Sequence, residues 1–239
     1  MPSSTRRLLT ALACALALVA GLISTSAPAG AAAAKTPRAP RSFSADTIEA
    51  LATYVGQTSC DPHVKAGTAK LGKLLTSTYP GTTFASTYPC GTDGSQSEHY
   101  EGRAIDWMVS ARDKAQHAEA RAFIHWLLAT DRYGNTDAMA RRLGVMYVIF
   151  NNRMWGAWSG RWEEYNGCLH KKLRSHAYDN ACHRTHVHIS LSWNGARGRT
   201  TFWTGKVSPT DYGPCLKKGH HYAPKWKRPN HAGCPAQYH

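Results

Sequence analysis

The sequence predicts an α+β fold, a small antiparallel sheet flanked by helices, and three stretches carry that expectation. His186-Val187-His188-Ile189-Ser190-Leu191 alternates with a period of two, so its two histidines share one strand face while the aliphatic residues fill the other. Val145 to Phe150 is a continuous apolar run directly after Gly144, the pattern of a buried central strand. Residues 113–129 set Ala118, Ala122, Ile124, Trp126, Leu127 and Leu128 as an apolar helical stripe, with His125 as an interfacial residue.

Taken in chain order, residues 1–34 read as a secretory signal: Arg6 and Arg7 lead an uncharged run from Leu8 to Ile23, followed by small residues from Ala27 to Ala34. That run is short for a bilayer and nothing later replaces it, so no membrane span is expected. Cys14 lies too early in the run, after Ala11-Leu12-Ala13, to mark a lipid attachment site. Residues 35–43 form a flexible linker, and the folded domain spans 44–205.

Ser44 or Asp46 caps a first helix with Ile48, Leu51, Ala52 and Val55 at helical spacing. A second helix follows Asp61-Pro62, with Val64, Leu71, Leu74 and Leu75 inward. Thr82 to Tyr88 is a strand, and a loop from Gly91 to Ser97 delivers His99. Arg103 to Val109 is the next strand, and Asp137 to Leu143 a short helix ended by Gly144. Trp155, Trp158 and Trp162 are either an aromatic wall for a glycan or peptide, or core. Residues 206–239 form a basic extension holding Cys215 and Cys234, with Lys217, Lys218, Lys225, Lys227 and Arg228.

Without Arg6 and Arg7, 27 basic residues stand against 15 acidic ones, a net charge of +12. Such a field favours polyanionic surroundings, and for an exported bacterial-type chain those are anionic wall polymers. A metal-dependent nuclease is compatible with the charge, but no phosphate-cradling glycine loop or paired catalytic carboxylates accompany it, and no nucleic-acid partner is expected. Six cysteines remain after Cys14, an even number that implies disulfides in an exported chain. Of the fifteen connectivities, sequential pairing closes the shortest loops: Cys60 with Cys90, Cys168 with Cys182 and Cys215 with Cys234. Cysteine zinc ligation is disfavoured, because no pair has the close spacing of a zinc knuckle.

The chemistry gathers around histidine and aspartate. Ser97-x-His99-x-x-Gly102-x-Ala104-x-Asp106, together with His183-x-x-His186-x-His188, supplies nitrogen and carboxylate donors of the kind that hold a hydrolytic Zn²⁺. This pattern, covering about residues 80 to 192, resembles the LAS zinc metallopeptidases, a group that includes lysostaphin-type, D-Ala-D-Ala-cleaving and hedgehog-like domains. It looks most like the zinc carboxypeptidases and murein endopeptidases that cleave amide bonds in cell-wall peptides.

The resemblance implies His99, Asp106 and His188 as metal ligands, with His186 assisting a metal-activated water or steadying the intermediate. His183 then orients His186 or the substrate. Many D-Ala-D-Ala-cleaving relatives carry a glutamate three residues before the last metal histidine; here Thr185 stands there, so the variant with a histidine base is implied. Ser97 and Gly102 shape the turn that positions His99, which puts Ser97 on the substrate side. Arg153, leaving a buried strand, either holds a substrate carboxylate through its bidentate fork or forms a salt bridge on a surface turn. The expected protein is a monomeric, secreted amide hydrolase of peptidoglycan stem peptides. Its rival is a wall-binding module that keeps the metal only for structure.

Overall fold

Apolar residues at alternate positions give this chain a sheet with two unlike faces. The computed structural model describes residues 37–91, 95–170 and 175–209. The expected secretory signal with Cys14, and most of the basic extension with Cys215 and Cys234, lie outside those residues.

Six strands form one antiparallel sheet: β1 (Thr83–Ala85), β2 (Ala104–Met108), β3 (Val145–Phe150), β4 (Arg153–Gly156), β5 (Arg161–Glu164) and β6 (Val187–Leu191), in the order β1-β2-β6-β3-β4-β5. Five helices accompany it among the described residues: α1 (Ala66–Thr78), α2 (Lys114–Leu128), α3 (Ala138–Leu143), α4 (Trp193–Arg197) and α5 (Thr201–Thr204). The fold is α+β, as the period-two strand, the apolar run and the helical stripe predict.

One sheet face is the core. Ile105 and Trp107 of β2, Val148 and Phe150 of β3, and Val187, Ile189 and Leu191 of β6 pack there against Leu71 and Leu75 of α1 and Phe123 and Leu127 of α2. Asp113 caps α2 through its carboxylate, which accepts from the Ala115 and Gln116 amides at 2.9 Å. Gly144 ends α3 in the left-handed conformation, and β3 begins at the next residue. The opposite face carries Asp106 and His188, and it stays open.

The first expected helix is absent: residues 45–57 form an irregular strap. Its carbonyls are claimed by arginines from elsewhere. Arg142 donates to Ala45 and Thr47, Arg141 to Glu49, and Arg103 to Val55 and Gly56. With Thr47, Ile48, Thr53, Tyr54 and Val55 all poor helix formers, these donors outcompete an internal ladder. The apolar residues still turn inward, Ile48 and Ala52 onto the main core and Val55 against Met146 and Trp193, while Leu51 is exposed.

The second helix begins later than expected, at Ala66, leaving Val64 exposed, because Asp61 and Lys65 pair through their backbones with Tyr100 and Gly102. Nor is the expected linker free of the domain: Ser42 accepts from the Trp126 indole at 2.9 Å, Phe43 packs on the core, and Arg41 covers Phe202.

Cys60–Cys90 and Cys168–Cys182 are disulfide-bonded, as sequential pairing requires. Such bonds persist in oxidising, extracellular-type surroundings. Among the described residues no helix is long and apolar enough to cross a membrane.

Candidate metal centre

Two strands and one turn bring the donors together. Asp106 of β2 and His188 of β6 are direct cross-strand partners, so their side chains leave the same face of the sheet. His99 arrives from a 3₁₀ turn, Glu98–Glu101, whose start is capped by Ser97 Oγ accepting from the His99 amide. Gly102 closes that turn at φ 62°, and a Cβ there would lie 2.0 Å from the His63 carbonyl oxygen, so glycine is required on both counts. Ser97 and Gly102 thus shape the approach of His99.

Three donor atoms converge. His99 Nε2 lies 3.1 Å from Asp106 Oδ1, His188 Nδ1 lies 2.9 Å from the same oxygen, and the two nitrogens are 3.3 Å apart. Four ligands at about 2.1 Å in tetrahedral array stand about 3.4 Å from one another, so the spacing matches that of a single ion's donors. The donor types, two imidazoles and a carboxylate, suit a transition-metal ion. His99, Asp106 and His188 are buried and are the group among the described residues able to hold a metal ion together.

Hydrogen bonds behind the donors aim them. Ser86 O accepts from His99 Nδ1 at 3.2 Å, leaving Nε2 for the centre. Tyr88 donates to Asp106 Oδ2 at 2.7 Å, which turns Oδ1 toward the histidines. His188 Nε2 meets Ser190 Oγ at 2.9 Å, and that hydroxyl donates to Glu98 Oε2, which also accepts from the Tyr147 hydroxyl. With Nε2 carrying the proton in this chain, His188 presents the Nδ1 lone pair. Tyr147 also stacks on the His188 ring, with centroids 5.4 Å apart.

Electrostatics follow from burial and these partners. Burial alone would raise the Asp106 carboxyl; without a metal ion, ring N–H groups that His188 and His99 can turn to it outweigh burial and hold it far below the usual carboxylate range, a place that a bound cation would take. The Tyr88 hydroxyl is pushed up by burial and by its bond to Asp106, and Tyr147 by burial and Glu98, so both remain protonated donors.

His186 stands beside the group, its Nε2 3.5 Å from Asp106 Oδ1 and its Nδ1 2.9 Å from Thr185 Oγ1. Burial lowers its pKa against the pull of Asp106, which favours the neutral ring. His183, at φ 52°, packs its ring on those of His186 and His188 and edge-on to Tyr165. Burial, helped by the neighbouring histidines, drives its pKa down to about 2, so the neutral ring supports His186 by contact. The Cys168–Cys182 bridge anchors the segment immediately before it.

The centre opens into a cleft of about 540 Å³ lined by Ser97, Glu98, His183 and His186 as well as the three donors. Arg153 is not there. Asn151 and Asn152 form a two-residue hairpin turn with φ 46° and 74°, which pairs Arg153 with Phe150 and sends it to the helix-covered side. It lines a separate depression with Arg121, His125 and Trp162. Of the three tryptophans, Trp155 is core, Trp162 packs partly on the core, and Trp158 faces the cleft side. Glu98, Ser190, Tyr88 and Tyr147 are the site residues that sequence reasoning passed over; Ser190 had a signal, lying two residues beyond His188 on the same strand face.

A family model described as VldE, C-terminal domain, matches residues 60–176. The matched segment includes His99 and Asp106 and ends before His183, His186 and His188. No curated protein and no solved structure matches the chain.

Proposed function

We propose that this protein is a secreted, zinc-dependent hydrolase of amide bonds in peptidoglycan stem peptides, related in site and fold to the LAS metallopeptidases. The observation that carries the reading is the convergence of His99, Asp106 and His188 at ligand spacing in an open cleft with His186 alongside. A bound Zn²⁺ would supply Lewis acidity and an acidified water in such a site.

The chain's own residues do the rest. His99 and His188 keep their metal-facing nitrogens unprotonated through Ser86 and the Ser190–Glu98 chain. Asp106 contributes the one negative charge of the donor set, its second oxygen held by Tyr88. Thr185, standing where a glutamate base is found in many relatives, fixes the His186 ring by contacting Nδ1. With its Nδ1 proton donated to that hydroxyl, His186 accepts a proton at Nε2, facing the cleft, and returns it to the leaving amine. The basic chain and the disulfides suit an exported protein working among anionic wall polymers.

Two measurements test this together. Elemental analysis should find close to one zinc per chain, and stem-peptide fragments should be cleaved at an amide bond. His186→Ala should keep its zinc while turnover falls roughly 10² to 10⁴-fold, the loss expected for a positioned acid or base. Zinc bound with no cleavage of any stem peptide would replace the hydrolase reading with that of a structural-metal binding module.

A further inference from the structure

One row of side chains crosses the open face of the sheet. Register aligns Asp106 with His188, His188 with Ile149, Ile149 with Met154, and Met154 with Glu163. Directly opposed residues of antiparallel strands project to the same face, and neighbouring strands lie about 4.8 Å apart. Glu163 therefore stands about 14 Å from His188, three strand spacings away, on the face that carries the metal centre. Ile149 and Met154 make an apolar floor between them.

Two cavities adjoin above the row. A cavity of about 400 Å³ holding Met154, Trp158 and Glu163 shares Tyr147, Ile149 and Tyr165 with the metal cleft. Aromatic rings run along its side: Tyr147 stacks on His188, Trp158 lies 6.1 Å from Tyr147, and Tyr54 meets Trp158 edge-on at 5.4 Å. Gly156 makes room for that wall, because a Cβ there would sit 2.5 Å from the Trp158 ring.

Glu163 ends the row exposed, with no ion pair or hydrogen bond among the described residues. Its neighbour Glu164 is occupied by the Leu169 amide and His170. In a chain of net charge +14, a carboxylate that has no partner among the described residues and lies in a cavity with aromatic rings is the pairing that recognises an ammonium group. We propose that this end of the cleft is a subsite for a primary ammonium on an aliphatic side chain of the peptide substrate. At about 3.4 Å per extended residue, the 14 Å span places the amine-bearing residue about two to three positions from the bond at the metal centre, its long side chain covering the remainder.

The subsite rests on the proposed peptide substrate but not on turnover, so its test uses binding as well as hydrolysis. The zinc-loaded full chain is given two stem-type tetrapeptides, identical except that one has a free lysine ε-amine and the other an acetylated one. The free amine should bind about 5- to 30-fold more tightly by calorimetry, with KM shifted in parallel if the peptide is cleaved. Glu163→Gln should bind both at the weaker value, and Trp158→Ala should weaken the free-amine peptide more than the acetylated one. Equal affinity of the native protein for the two peptides, failure to bind either, or discrimination surviving Glu163→Gln overturns the subsite. Cleavage without discrimination leaves the hydrolase reading standing alone; discrimination without cleavage leaves the subsite standing alone.

Discussion

Glu101 and Asp106, five positions apart, are both buried carboxylates, and they are held in opposite ways. Glu101 is saturated with donors: the amides and hydroxyls of Thr58 and Ser59 on one oxygen, and the Arg103 guanidinium on the other. Arg103 continues to the Leu191, Val55 and Gly56 carbonyls and lies over the Trp193 ring, so the pair rivets the strap to the sheet. Asp106 has one obligate donor, Tyr88, and otherwise faces ring nitrogens that offer lone pairs as readily as protons. A permanent cation built into the chain marks the structural carboxylate. Its absence, with imidazoles in its place, marks the one arranged for a cation from solution.

Exchanging the two residues' roles by mutation gives the sharpest contrast. Asp106→Ala should reduce bound zinc from about one per chain to near zero and take hydrolysis to background, as elemental analysis and a peptide assay would read; retained zinc would break the distinction. Glu101→Gln should leave the zinc stoichiometry of the folded protein intact but cost about 3–5 kcal/mol in denaturant unfolding, the loss expected when a buried ion pair loses one partner. A cost near zero would mean that the rivet holds nothing.

Ser190→Ala comes next, because it cuts the chain from His188 to Glu98 without touching a donor atom. Metal affinity should fall about 10- to 100-fold in a chelator competition, with thermal stability of the metal-free protein much less affected.

The smallest effect is in acid. The Arg103 charge and the Thr58 and Arg103 hydrogen bonds overcome the burial that would raise Glu101, so its folded pKa lies below the ordinary 4.5. The stability it contributes is therefore complete above that ordinary value and is lost as pH falls from there through the lower folded pKa. Unfolding measured in metal-free protein from pH 6 downward should show that loss, and Glu101→Gln should flatten it.

The candidate metal donors are legible in the sequence through the motif pair that carries the resemblance, with a two-residue period on β6 fixing which face His186, His188 and Ser190 share and His99 and Asp106 bracketing a glycine that must turn. The core strands and α2 are legible for the same reason of period. Arg153 is misjudged where the period breaks. Two left-handed asparagines make a two-residue hairpin turn, so the residue after them pairs with Phe150 and inherits its face. The strap is misjudged because helical spacing describes which residues face inward, and Ile48, Ala52 and Val55 do, but says nothing of arginines some 40 to 100 positions away that take the carbonyls. For Glu98 and Tyr88 no local pattern exists, since their value comes from what distant strands bring beside them.

The strap also has a place in time. Its anchoring hydrogen bonds join residues 47, 92, 97 and 152 positions apart, whereas β3, β4 and β5 pair through short turns. Contacts that close such long loops carry their entropic cost before any reward, so the meander forms early and the strap docks late. Tyr54, which meets Trp158 edge-on, belongs to this late-docking segment. The far end of the cleft is therefore completed by the last-folded segment, while the candidate metal donors sit on the strands and turn beneath.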